Sequence, residues 1–190
     1  MRNLHMILVL ATSLLPFASV QAAPADLPET GQTTCVDVAG TIACAGTGQD
    51  GDLRAGVAWP SPRFTVGAGA TVACVTDNLT GLMWMGTPDS IPTTWANALT
   101  AANNLTLCGF SDWRLPNITE LESLMNREVT IQATFLNAQG FSGVLGVYYW
   151  SSSSYAGSAA DAWIVDMSGG VVFANNKSST GRVWPVRAGQ

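Results

Sequence analysis

The sequence predicts an α+β domain, with two helices set among many short antiparallel strands. Three observations carry this. Short β-prone runs alternate with Gly/Asn/Asp/Ser turn clusters along most of the chain. Only two segments have both a readable helix start and an apolar stripe at helical spacing. The cysteine count is four, an even number that suits a disulfide-braced exported fold.

Export comes first in chain order. Residues 1–22 read as a secretory signal peptide: Arg2, an apolar run from Met6 to Val20, and Val20-Gln21-Ala22 as an A-x-A-like cleavage site. The run is too short for a spanning helix, and no later stretch approaches the roughly 20 apolar residues a bilayer needs. The expected product of about 168 residues is secreted or periplasmic, without membrane insertion. His5, the only histidine, leaves with the signal. That excludes Ser/His/Asp and Cys/His nucleophilic chemistry and histidine metal sites.

Residues 23–70 read as an irregular segment rich in Gly, Pro, Thr and Asp, followed by a main domain over 71–190. Leu27-Pro28-Glu29-Thr30-Gly31 spells a sortase signal, but it lies far from the C-terminal position where such a signal works. Trp59–Phe64 is expected to be extended, since a proline disfavours helix at the residue before it. Strands are expected over Ala70–Val75 and Leu82–Met85, joined by the Asp77–Gly81 turn. The first helix opens near Pro92–Thr94 and repeats Trp95, Ala98, Leu99 and Ala102 on one face. The second has Asn117 as N-cap with Glu120 three residues on, the spacing of a capping box, and buries Leu121, Leu124 and Met125. Strands are then expected over Tyr148–Ser152, Ala162–Met167, Val171–Ala174 and Arg182–Arg187.

Cys35, Cys44, Cys74 and Cys108 allow three disulfide pairings. The favoured one joins Cys35 to Cys44 across a short hairpin and Cys74 to Cys108 between the first core strand and the end of the first helix. Structural zinc needs C-x₂-C spacing, which is absent.

Charge narrows the partners. Without Arg2, seven basic residues face thirteen acidic ones, a net charge near −6. Charged residues make up 11% of the chain, against roughly 25% in an average domain. Nucleic acid and sulphated polymers are therefore disfavoured as partners. A glycan or a protein at a cell surface is the expected partner, met through neutral hydrogen bonds and aromatic faces.

The candidate ligand-binding residues are Tyr149, Ser152, Ser154, Tyr155, Trp163, Asn175, Asn176 and Lys177. They flank late strands and offer hydroxyls, amides, one ammonium and aromatic rings. Ordinary Asx- and Ser/Thr-turns are the competing explanation for the Ser and Asn runs. Most of the seven tryptophans, notably Trp84, Trp95, Trp113 and Trp150, read as core. Asp112 and Arg114, on either side of Trp113, are expected to pair. Asp50 and Asp52 are the carboxylates calcium would use, but a solvated acidic turn is the favoured reading. No catalytic residue and no cofactor are expected.

Several landmarks occur in a distinctive order: Leu27–Gly31 running into Cys35 and Cys44, Gly48–Leu53, Trp59–Phe64, Thr76–Trp84, Asp112–Leu121, Tyr149–Ser152 and Val183–Arg187. Together they resemble the bacterial Lcl C-terminal domain family, the end domain of a collagen-like surface adhesin, long regarded as of unknown function. The resemblance implies a C-type-lectin-like architecture and adhesin-like, non-catalytic recognition of a glycan or protein. The Glu-Pro-Asn and Trp-Asn-Asp signatures of calcium-dependent lectins are missing, so sugar binding without a metal is expected. Two alternatives stand beside this reading. One is a structural subunit of an extracellular homo-oligomer. The other is a lectin-fold oxidase, which would need a reactive cysteine pair.

Overall fold

The computed structural model describes residues 27–189; the export signal and its cleavage site lie outside the described residues. The fold is mixed α+β, with four helices and three antiparallel sheets among those residues.

A small hairpin comes first. Strands β1 (Cys35–Asp37) and β2 (Gly40–Ile42) pair, and the Asp37 carboxylate closes their turn by accepting the N–H groups of Ala39 and Gly40. The Cys35–Cys44 disulfide locks it. One helical turn, α1 (Asp50–Leu53), follows.

The second sheet has the order β3 (Phe64–Val66), β4 (Cys74–Asp77), β5 (Met83–Met85), β9 (Val186–Arg187). Gly81, at φ +73°, makes the β4–β5 turn, where its N–H closes onto the Asp77 carbonyl. Helix α2 (Trp95–Asn103) leads to the Cys74–Cys108 disulfide, which ties the end of that helix to β4. Both cysteine pairs are the ones the spacing favoured.

Helices α3 (Ile118–Ser123) and α4 (Gln132–Ala138) precede a three-stranded meander of β6 (Tyr148–Ser154), β7 (Asp161–Asp166) and β8 (Val171–Asn176). The expected capping box of α3 forms in full. The Asn117 side chain accepts the Glu120 N–H at 2.8 Å, and the Glu120 carboxylate accepts the Asn117 N–H at 2.8 Å.

Several elements differ from expectation. Helices α1 and α4 add to the two that were legible. No side chain caps α4, and Thr134, Phe135 and Asn137 are weak helix formers. Burial of Ala133 and Leu136 holds it instead, together with Gln132, whose buried amide accepts the Asn126 N–H and donates to the Asn126 and Val129 carbonyls. The strand expected from Ala70 starts only at Cys74, because Gly69–Thr71 forms a 3-10 turn. The last strand shrinks to Val186–Arg187, since Pro185 has no N–H for a ladder.

The meander separates two cores. One face carries Tyr149 and Val165 into a cluster with Trp84, Leu121, Leu124, Phe141 and Trp184. The other carries Trp150, Ala162 and Ile164 onto Ala98 and Ala102 of α2.

Charge is used structurally in most places. Arg63 is packed between the Trp59 and Phe64 rings, 4.0 and 4.7 Å from their centroids, and pairs with the enclosed Asp77. Burial lowers the Arg63 pKa against the opposing pull of Asp77. The expected Asp112–Arg114 pair does not form. Arg114 instead grips Glu120 with two hydrogen bonds of 2.7 and 2.5 Å, while Asp112 accepts from Arg187, whose guanidinium lies 3.7 Å from the Phe110 ring centroid. Glu120 wins Arg114 because the capping box already holds its carboxylate in place.

Candidate functional site

Strand pairing at the open end of the meander decides which candidate residues meet. Ser154, Ala162 and Asn175 lie in one register row and so share a face, the α2 side. Trp163 and Asn176 belong to rows that face the other way. The expected single rim is therefore two groups, one on each face of the sheet's tip.

On the α2 side, Lys177, the only lysine in the chain, donates from Nζ to the Ser154 hydroxyl at 3.2 Å and the Ala159 carbonyl at 2.8 Å. The same ammonium sits 4.5 Å from the Trp95 ring centroid. The Trp95 indole N–H in turn donates to the Ser151 carbonyl at 2.8 Å. Trp95, expected in the core, packs against the second core and is half-buried beneath Lys177. Its position at the first turn of α2, where a helix face meets a loop, was the available signal.

On the opposite side, Tyr155 and Trp163 meet edge to face, with centroids 5.1 Å apart and planes at 83°. Tyr155 is 36% exposed. Gly157 runs directly under its ring: a Cβ there would lie 2.7 Å from ring carbons, so glycine lets the loop fold beneath Tyr155. Asn176 sits one row away and donates to Asp161 at 3.3 Å. Asp161 is a polar neighbour that sequence reasoning missed, because only the register brings it opposite Asn176.

Part of the Asn run follows the competing turn explanation. Asn176 Oδ1 accepts from the Ser178 N–H and hydroxyl, and Asn175 Oδ1 accepts the Asn176 N–H. Each leaves amide capacity for a ligand.

Two candidates move inward. Tyr149 is a correction: it is 1% exposed, tilted against Trp184, and its hydroxyl accepts the Leu145 N–H. Burial pushes its phenol pKa up. Pairing with Val165 turns Tyr149 into the first core and leaves the adjacent Tyr148 outward. Ser152 is half-buried, with its N–H on the Pro116 carbonyl at 2.7 Å.

The acidic turn is part of the scaffold. Asp50 accepts from the Thr30 hydroxyl, and Asp52 accepts the Gly48 N–H at 3.0 Å. No group of three or more metal-capable side chains occurs among the described residues.

A family model described as the Lcl C-terminal domain matches residues 73–187, more than half of the chain. No curated protein matches it.

Proposed function

The chain belongs to the Lcl C-terminal domain family, and from that premise we propose that it is an exported, non-catalytic binding module that recognises a neutral glycan. The observation that carries this reading is the Tyr155–Trp163 pair at the sheet's tip. An exposed aromatic ring lies beside amide and carboxylate groups, with no cationic side chain hydrogen-bonded to the pair among the described residues. Aromatic faces stack on the apolar faces of sugars, and neighbouring amides and carboxylates take their hydroxyls. Binding proceeds without a metal.

A C-type-lectin-like arrangement fits the order of elements, with α2, the Trp113–Pro116 stretch and α3 set among antiparallel strands and a disulfide reaching from β4 to the end of α2. Export is supported by two disulfides, which persist in oxidising compartments, and no described helix is long and apolar enough to cross a membrane. All four cysteines are bonded, which supports the binding reading over the oxidase alternative.

The test is binding of the Tyr155→Ala and Lys177→Gln variants to an immobilised neutral oligosaccharide. Tyr155→Ala is expected to weaken binding by about tenfold or more while leaving the melting temperature near wild type. Lys177→Gln, on the other face, is expected to change it little. Equal affinity of wild type and Tyr155→Ala would reject the aromatic site.

One observation favours a second reading. Strand β8 is a sheet edge that pairs only with β7, and its sequence, Val171–Asn176, carries neither charge nor proline to guard it. A homo-oligomer built through that edge would show as a multiple of the protomer mass in light scattering, independent of sugar.

A further inference from the structure

Arg182 stands apart from the other described arginines. Arg54, Arg63, Arg114, Arg127 and Arg187 each pair with a carboxylate. Arg182 has no such partner among the described residues; its Nη1 is buried with no hydrogen bond, as are those of Arg63 and Arg187, but theirs belong to guanidiniums already paired with Asp77 and Asp112. A buried donor left without an acceptor is costly, so its persistence calls for an explanation.

The surroundings supply one. Arg182 lines a cavity of about 170 Å³ with Pro92, Val147, Tyr148, Thr180 and Gly181. Tyr148 is 44% exposed and stands edge-on to Phe173, with centroids 5.3 Å apart. The backbone on both sides is fixed: the Arg182 N–H donates to the Tyr148 carbonyl, and Gly181 and Thr93 exchange two hydrogen bonds. Gly181 also lets this segment lie against Trp150, since a Cβ there would come within 2.9 Å of the indole nitrogen. The Arg182 backbone is thus held in a rigid frame, and the residue lines the cavity together with an aromatic residue and a proline.

We propose that this cavity is a binding site for a single carboxylate carried on a ring-sized, partly apolar group. The planar guanidinium fork matches a carboxylate with two parallel hydrogen bonds. Tyr148, Pro92 and Val147 supply an apolar wall for the rest of the ligand. The chain's net charge of −5 favours a monoanion over a more highly charged group. The site lies apart from the Tyr155–Trp163 pair and does not depend on it.

The probe is sodium benzoate, titrated into isotopically labelled protein while the Arg182 Nε–Hε resonance and the Tyr148 ring signals are followed. Benzamide serves as the uncharged shape control and benzenesulfonate as the non-planar anion. Saturable shifts of both residues with benzoate, absent with benzamide and weaker with benzenesulfonate, are expected. Arg182→Gln should abolish them, and Tyr148→Ala, a change at an exposed ring, should weaken benzoate binding several-fold. Unmoved Arg182 and Tyr148 signals in the wild type would overturn the proposal, as would equal response to benzamide or a preference for the sulfonate. If Arg182→Gln does not fold, the wild-type titrations and Tyr148→Ala still decide the matter.

Discussion

Asp77 is fully enclosed and accepts from four donors: Arg63 Nε and Nη2, the Leu79 N–H and the Thr80 hydroxyl. Removing it would leave a guanidinium buried between two aromatic rings with no counter-charge. Asp77→Ala is therefore expected to cost about 3–5 kcal/mol in urea denaturation. The Arg54–Glu29 pair, with the Arg54 side chain 53% exposed, should contribute less than about 1 kcal/mol, so Arg54→Ala should be nearly silent in the same assay. Glu120 gives a pH signature. Burial alone raises its pKa, but hydrogen bonds from Arg114 and the Asn117 N–H, with Arg114's charge, outweigh that and hold it below the usual carboxylate range. A depressed folded-state pKa means stability that is present above the unfolded value and lost as pH falls through the folded one. The melting temperature should thus decline below about pH 4, and Glu120→Gln should start lower and decline less steeply. Parallel curves for variant and wild type would contradict this. The partnership of Asn117 and Glu120 was legible because a capping box is local in sequence. Tyr149's burial was not. Tyr148 and Tyr149 are equally β-prone, and only the pairing register decides which one turns inward.

Elements whose signals are local were found, and elements held by distant contacts were not. Helix α3 announces itself through its cap, whereas α4 has neither a cap nor strong helix formers and exists because Ala133 and Leu136 find a core to enter. The two groups at the sheet's tip were merged in sequence for the same reason: β6, β7 and β8 were legible as strands, but not which residues stand opposite one another. The disulfides lie between these extremes, because each closes a loop between elements that the sequence already placed. Their contributions should differ. Cys74–Cys108 spans 34 residues and Cys35–Cys44 spans 9, so removing the longer loop should cost more, within about 2–4 kcal/mol for each. Paired Cys→Ala variants, compared by chemical denaturation, check this; a larger loss from the short hairpin would contradict the loop-entropy account.

Across the whole molecule, charge is scarce and mostly spent on holding the chain together. Five arginines brace the fold through carboxylates, and the single lysine is tied to Ser154, Ala159 and Trp95. The proposed glycan contact is the aromatic pair of Tyr155 and Trp163 at the end of the meander, apart from Arg182. The most direct test is a glycan-array screen of the oxidised protein with calcium and again with chelator. The account predicts binding to defined neutral sugars that is unchanged by chelator and lost in Tyr155→Ala. Binding that disappears with chelator, or no binding to any sugar in either condition, would contradict it.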